Sequence, residues 1–157
     1  VVVNMFAGVG CFSILIAKHS KAEKVYSIDL NPRAVELMRE NILLNRLVGK
    51  VEAIRGDAKE VIEERLRGAS HRVLMPLPEK AYEFLDAACL ALRSEGGFIH
   101  YYDFVYAKKK EDAMRKAAEK VGKRLISIGR GFEVAFSRVV RSVGPNWNQV
   151  VLDLKVG

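Results

Sequence analysis

The sequence predicts an α/β fold: a mostly parallel seven-stranded sheet, helices on both faces, and an antiparallel C-terminal strand. Three observations carry this reading. Short apolar runs alternate with helical patterns as far as Val121. Glycine and acid residues punctuate the ends of the first three strand-like runs. The last two extended segments follow one another directly, joined by Val143-Gly144-Pro145-Asn146, which only an antiparallel pair permits.

The elements follow in order. Residues 1–5 read as a buried strand, and Phe12 to His19 as a helix. Val25 to Asp29 is a second strand. Pro32 opens the next helix, where its missing N–H costs nothing, and the pattern runs to Leu44. Val51 to Arg55 is a third strand, followed by a charged helix from Ala58 to Arg67. His71 to Met75 is a fourth, stopped by Pro76 and Pro78. Glu79 to Arg93 suits an amphipathic helix that Gly96-Gly97 ends, and Phe98 to Tyr102 a fifth strand. Lys108 to Val121 reads as a basic helix. Arg124–Ile128, Glu133–Ser142 and Asn148–Val156 read as extended.

The chain has 157 residues, half of them hydrophobic, enough for one domain with its own core and too few for two. Charged residues at 29% exclude a membrane protein, and no apolar run nears the roughly 20 residues of a membrane helix. No signal peptide is visible. Two cysteines, Cys11 and Cys89, make no disulfide framework, so a reducing, cytoplasmic compartment is expected. Both lie in apolar segments, and Cys11 is expected to be buried. Because the chain opens directly on a core strand, it reads as part of a longer polypeptide with domains upstream.

Net charge is +7, and its distribution is uneven. Residues 1–106 hold 14 basic and 14 acidic side chains, whereas residues 107–141 hold 11 basic and 4 acidic. A local basic surface of this kind points to a polyanionic partner.

The first strand runs into Asn4-Met5-Phe6-Ala7-Gly8-Val9-Gly10 and then a helix. Glycines there let the backbone turn sharply beneath a ligand at the carboxyl ends of the strands. Asp29 ends the second strand 19 residues after Gly10, where a carboxylate accepts both hydroxyls of a ribose. Asp57 ends the third, placed to meet an adenine amino group. Both acids in register with the loop indicate an adenosine site. A nicotinamide site needs a glycine at the position of Ser13, so the dinucleotide fingerprint fails. S-adenosylmethionine (SAM) has no phosphate to cradle and suits the looser loop.

These residues carry a resemblance. Asn4 to Ser13 resembles the Asp-Met-Phe-Ala-Gly-Val-Gly-Pro-Phe-Ser signature of the Trm-five/Met-ten-like family of archaeal and eukaryotic tRNA (guanine-N1)-methyltransferases. Ile28-Asp29-Leu30-Asn31-Pro32, Val73 to Pro78, Gly97 to Tyr102 and Arg138 to Val156 resemble its further blocks in the right order. The resemblance implies a Rossmann-like class I SAM-dependent fold over residues 1–157. It implies a cofactor on Asn4, Phe6, Ala7, Gly8, Gly10, Phe12, Asp29, Leu30, Asn31, Asp57, Ala58 and Met75. It also implies a substrate loop at Met75, Pro76, Leu77 and Pro78, and methyl transfer to N1 of guanosine 37 in the anticodon loop of tRNA.

Three positions depart from the pattern. Asn4 replaces an Asp, Cys11 a Pro, and Pro76 an Asn that would lie near the target base. A relative with the same glycine loop is the wybutosine enzyme that transfers the aminocarboxypropyl group of SAM. Its Met-Gly-Tyr loop differs from Met75-Pro76-Leu77, which favours methyl transfer here.

Catalytic residues are not identified. The acid and arginine that the family uses lie upstream of the loop, and Glu79 reads as a first-turn helix acid. His19, His71 and His100 lack metal-ligand spacing, so no metal is expected. His100 reads as a structural histidine. Tyr101, Tyr102 and Tyr106 are aromatic residues able to stack on an unpaired base, and Trp147, after a Gly-Pro turn, is either exposed near the SAM pocket or packed in an ordinary turn. Candidate phosphate contacts are Lys108, Lys109, Lys110, Arg115, Lys116, Arg138 and Arg141. A monomer without membrane contact is expected.

Overall fold

A computed structural model describes all of residues 1–157. Seven strands form one sheet in the order β3-β2-β1-β4-β5-β7-β6. They are β1 (Val2–Asn4), β2 (Val25–Asp29), β3 (Val51–Arg55), β4 (Arg72–Met75), β5 (Gly97–Tyr106), β6 (Phe132–Gly144) and β7 (Trp147–Val156). The first five run parallel; β7 enters antiparallel between β5 and β6. The order reverses between β1 and β4, so a crevice opens at their carboxyl ends.

Five α-helices join the strands: α1 (Cys11–His19), α2 (Pro32–Leu44), α3 (Ala58–Val61), α4 (Leu85–Ala91) and α5 (Ala113–Ser127). Helices α3, α4 and α5 cover one face of the sheet through a core of 29 buried residues that includes Ile62, Leu85, Leu125, Ile99 and Leu152. On the other face α1 and α2 bury a smaller cluster of 10 residues around Val25, Val35 and Met38. Both helices pack on β2 and β3, so the same face of β5, β7 and β6 carries no helix.

Several element boundaries differ from the sequence reading. Arg124–Ile128 is not extended: α5 continues to Ser127, because Ala117, Val121 and Leu125 form one buried stripe and Asp112 caps the start. Gly122 does not break this helix, since the Phe132 ring fills the place a side chain would take. The charged segment after β3 is only one α-turn before Ile62–Leu66 widens to a π-turn. The segment from Glu79 enters through a 3₁₀ turn, Ala81–Phe84, and its α-helical part is confined to α4. Strand β5 runs on to Tyr106 rather than stopping at Tyr102. Cys11 is exposed, not buried, because it opens α1 on the solvent side.

Strand β6 carries three bulges against β7, at Ala135, Val140 and Val143, each an extra residue opposite an uninterrupted partner. Pro145-Asn146 makes the tight turn between them, with Asn146 at φ 60° supplying the left-handed position.

Candidate functional site

The carboxyl ends of β1, β2 and β3 meet the segment after β4 around a cavity of about 720 Å³. That volume falls within the range of sites that enclose a small molecule, about 300–1,000 Å³. Its lining includes Phe6 and Gly8 from the glycine loop, Asp29 at the end of β2 with Leu30 after it, and Asp57, the cap of α3, with Ala58 and Lys59 from the helix. Pro76 and Leu77 close it from the loop after β4.

The loop is built by backbone geometry and one acid. Met5 N–H donates to the Leu74 carbonyl at 3.0 Å and Ala7 N–H to that of Ile28 at 2.8 Å, so the chain leaves β1 still held by both neighbouring strands. Gly8 and Gly10 then take φ 55° and 89°, values open to glycine. At Gly10 a Cβ would also meet Met38 Cγ at 2.9 Å, while at Gly8 it would meet nothing, leaving that backbone bare to the cavity. Asp29 Oδ2 accepts from Gly8 N–H at 2.7 Å and Oδ1 from Asn31 N–H at 2.9 Å. One carboxylate therefore sets the positions of two loops, and each oxygen retains lone-pair capacity for a ligand hydroxyl. Asp57 Oδ1 accepts from Lys59 N–H at 2.8 Å as the cap of α3; its Oδ2 has no protein partner.

Other expected cofactor residues lie outside the lining. Asn4 is fully buried beneath the loop, where its Nδ2 donates to Ser13 Oγ at 3.1 Å and its Oδ1 has no partner. Ala7 and Met75 are buried, Gly10 caps α1, and Asn31 caps α2 by accepting from Arg33 N–H. Phe12 points to a separate groove of about 520 Å³ between α1 and the uncovered face of β5, shared with Leu74, His100 and Tyr102. Pro78 and Glu79 do not line the cavity either. No cluster of metal-ligating side chains is present.

Sequence reasoning did not assign six lining residues to the site: Met5, Gly56, Lys59, Lys80, Glu83 and Phe84. Phe84 meets Phe6 edge-on at 5.1 Å, and the Lys59 ammonium lies 4.5 Å from its ring centroid. Lys59 had a signal, its place in the first turn after Asp57. Met5 and Gly56 adjoin residues that were assigned, whereas Glu83 and Phe84 come from the 3₁₀ turn and Lys80 from just before it, a segment whose position over the cavity is purely tertiary. Glu83 pairs with Lys80 at 3.3 Å.

His100 is held structurally: Nδ1 lies 2.7 Å from Asp153 Oδ1 and Nε2 3.3 Å from Arg72. Of the expected phosphate contacts, Lys116 pairs with Glu111 at 2.7 Å and Arg115 with Glu119 at 3.0 Å. Arg141 Nε donates to Gln149 at 2.9 Å, while Lys109, Lys110 and Arg138 have no acidic partner.

A glycine loop after β1, acids closing β2 and β3, and a sheet whose seventh strand inserts antiparallel define a nucleoside-binding α/β domain of the methyltransferase type. The TRM5/TYW2 methyltransferase domain matches residues 1–128, and the chain belongs to that family. It is 38% identical over 156 residues to the Pyrococcus abyssi tRNA (guanine(37)-N(1))-methyltransferase Trm5b, covering 99% of this chain and 44% of the relative. It is 41% identical to the tRNA 4-demethylwyosine(37)-methyltransferase Taw21 of Saccharolobus solfataricus, with 99% and 54% covered. It is 37% identical to the tRNA(Phe) (4-demethylwyosine(37)-C(7)) aminocarboxypropyltransferase of Methanocaldococcus jannaschii, with 99% and 59% covered. Among solved structures, M. jannaschii TYW2 in complex with AdoMet superposes with a TM-score of 0.87 at 34% identity, covering 99% and 67%. The complex of aTrm5 and tRNALeu gives 0.79 at 38% identity, with 99% and 41% covered. The chain thus spans about half the length of the curated relatives it matches.

Proposed function

We propose that this chain is the SAM-binding catalytic domain of an enzyme that methylates N1 of guanosine 37 in tRNA. One observation carries the reading: Pro76 and Leu77, from the expected substrate loop, line the same cavity as Asp29 and Asp57. Cofactor cradle and substrate loop therefore share a wall.

The residues present fit SAM. Asp29, already fixing two loops, accepts the ribose hydroxyls. Asp57 Oδ2 is free for the adenine amino group, and exposed Leu30 offers an apolar cover for the base. Gly8 lets the ligand approach the backbone directly. Bound there, SAM supplies a methyl group made electrophilic by its sulfonium. The chain's own contribution is to orient: the Pro76-Leu77-Pro78 loop holds guanine in line with that methyl group. The proton of N1 must also leave. The carboxylates in the cavity are Asp29, Asp57 and Glu83, each engaged with backbone N–H groups or with Lys80. None of the three is left free to take that proton. Lys109, Lys110 and Arg138, free of acidic partners, meet RNA phosphates.

Calorimetric titration of SAM, with Asp29→Ala as control, tests the cradle. Mass analysis of anticodon-loop nucleosides, after reaction with the full-length enzyme, tests the chemistry. A single added methyl on guanosine supports the proposal; an added aminocarboxypropyl group, or a methyl found only on demethylwyosine, refutes it.

A further inference from the structure

Strand β5 pairs with β4 only as far as Tyr101, opposite Met75, and then continues five residues to Tyr106. Strands β7 and β6 extend with it, so a three-stranded arm projects past the carboxyl edge of the parallel strands, about 16 Å at 3.3 Å per residue. Register and side-chain alternation place three cross-strand rows on the helix-free face of this arm: Tyr102–Val151–Arg138, Phe104–Gln149–Arg141, and at the tip Tyr106–Trp147–Gly144.

The tip row has the form of a slot. Tyr106 and Trp147 are 42% and 45% exposed, with ring centroids 5.6 Å apart and planes at 69°. In that edge-to-face arrangement one ring leaves its flat faces uncovered. On the far side of Trp147 stands Gly144, where even a Cβ would come no nearer than 3.9 Å to any heavy atom, the nearest being the Trp147 Cβ. Ser142 Oγ donates to the carbonyls of Gly144 and Trp147 at 3.2 and 3.3 Å, and Ala107 N–H to that of Asn146 at 2.8 Å. The turn is thus fixed before any ligand arrives. Arg141 lies one row below, with Arg138 beneath it, and Lys108 to Lys110 follow β5 directly.

We propose that Trp147, Tyr106 and Gly144 form a stacking slot for one unpaired nucleobase of the tRNA, with Arg141 and Arg138 on the adjoining backbone. The slot deepens the reading above and rests on tRNA being the partner. An aromatic face bordered by guanidinium groups suits a single strand, whose bases can turn out to stack, and not a duplex, whose bases are already stacked. It lies apart from the cavity around Asp29, so it grips the RNA away from the reacting atoms.

Trp147 is the only tryptophan of the chain, which makes it its own reporter. The 157-residue chain is titrated with a labelled anticodon stem-loop RNA and with a fully paired duplex of equal phosphate number. Anisotropy of the label reads binding, and tryptophan emission reads stacking. Emission is expected to fall in step with stem-loop binding and to stay level at equal occupancy by duplex. Gly144→Val fills the slot on an edge strand whose backbone accepts it, because Gly144 has no positive φ. That variant should bind the stem-loop about tenfold more weakly while duplex and SAM affinities hold. Stem-loop binding with unchanged emission, or with undiminished affinity in Gly144→Val, overturns the slot and leaves the tRNA reading standing. Failure of both RNAs to bind overturns both. Emission that falls with protein concentration alone, as the mass doubles, assigns the surface to a second copy of the chain and overturns the slot.

Discussion

The two halves of the sheet use the same carboxyl edge differently. Around β1 to β4 the backbone closes into a cradle whose recognition groups are carboxylates, Asp29 and Asp57, each bonded to backbone N–H groups of the loops around it. Around β5 to β7 the edge extends into an arm whose exposed groups include the aromatic Tyr106 and Trp147 and the cationic Arg138 and Arg141. The contrast shows how one sheet divides two tasks by direction of pairing. Parallel strands end together and make a crevice, whereas antiparallel strands can overrun it. Acids at the first position suit hydroxyls and an amino group; cations at the second suit phosphates.

Three variants test that division. Asp29→Ala is expected to have the largest effect. It removes the acceptor for Gly8 and Asn31 as well as for the ligand, and charged hydrogen bonds contribute about 1.5–3 kcal/mol each. SAM affinity should fall roughly 100-fold by calorimetry, with stem-loop RNA affinity unchanged. Loss of both would show that the halves are coupled. Gly10→Ala should follow, lowering stability by about 1–3 kcal/mol in thermal unfolding, since φ 89° and the Met38 contact both oppose a side chain. Arg138→Gln with Arg141→Gln should mirror the first result. RNA affinity weakens, the slope of log affinity against log salt shrinks by about 1–2, and SAM binding is untouched.

The smallest effect concerns the core shared by both halves. Burial pushes the Cys89 thiol up from 9.0 to about 11, so the folded state favours its neutral form. Stability from this group is complete below pH 9.0 and is lost between there and pH 11, as the unfolded thiol ionises first. The loss is at most about 1.4 kcal/mol per pH unit. Denaturant midpoints measured across that window should fall less in Cys89→Ala than in the parent chain.

Most of the cradle was legible because its residues sit at strand ends, and strand ends converge once the sheet is parallel. Gly8, Asp29 and Asp57 needed only the period of the apolar runs to be located. Phe84 and Glu83 were not legible, because nothing local says that a 3₁₀ turn folds back over the cavity. The same limit explains the misplaced ends. The helix read as ending at Val121 runs on through Gly122, whose side-chain space is occupied by Phe132, ten residues away. The strand read as ending at Tyr102 continues through Asp103. Asp103 is buried, and Tyr101 Oη and Lys120 Nζ both donate to its Oδ2 at 2.8 Å, which lets the strand carry on. Cys11, small and apolar by type, is exposed because helix orientation, not composition, decides the outward side.

The bulges of β6 bear on how the molecule behaves in a crowd. An outer strand of thirteen residues with Val134, Phe136, Val139, Val140 and Val143 exposed would be a template for chain-to-chain pairing if it were flat. Ala135, Val140 and Val143 each insert one residue into its register. No incoming strand then finds more than a short run of free N–H and C=O groups in phase, and Arg138 and Arg141 repel a like-charged neighbour across it. The irregularity of this border works as a guard against fibrous association.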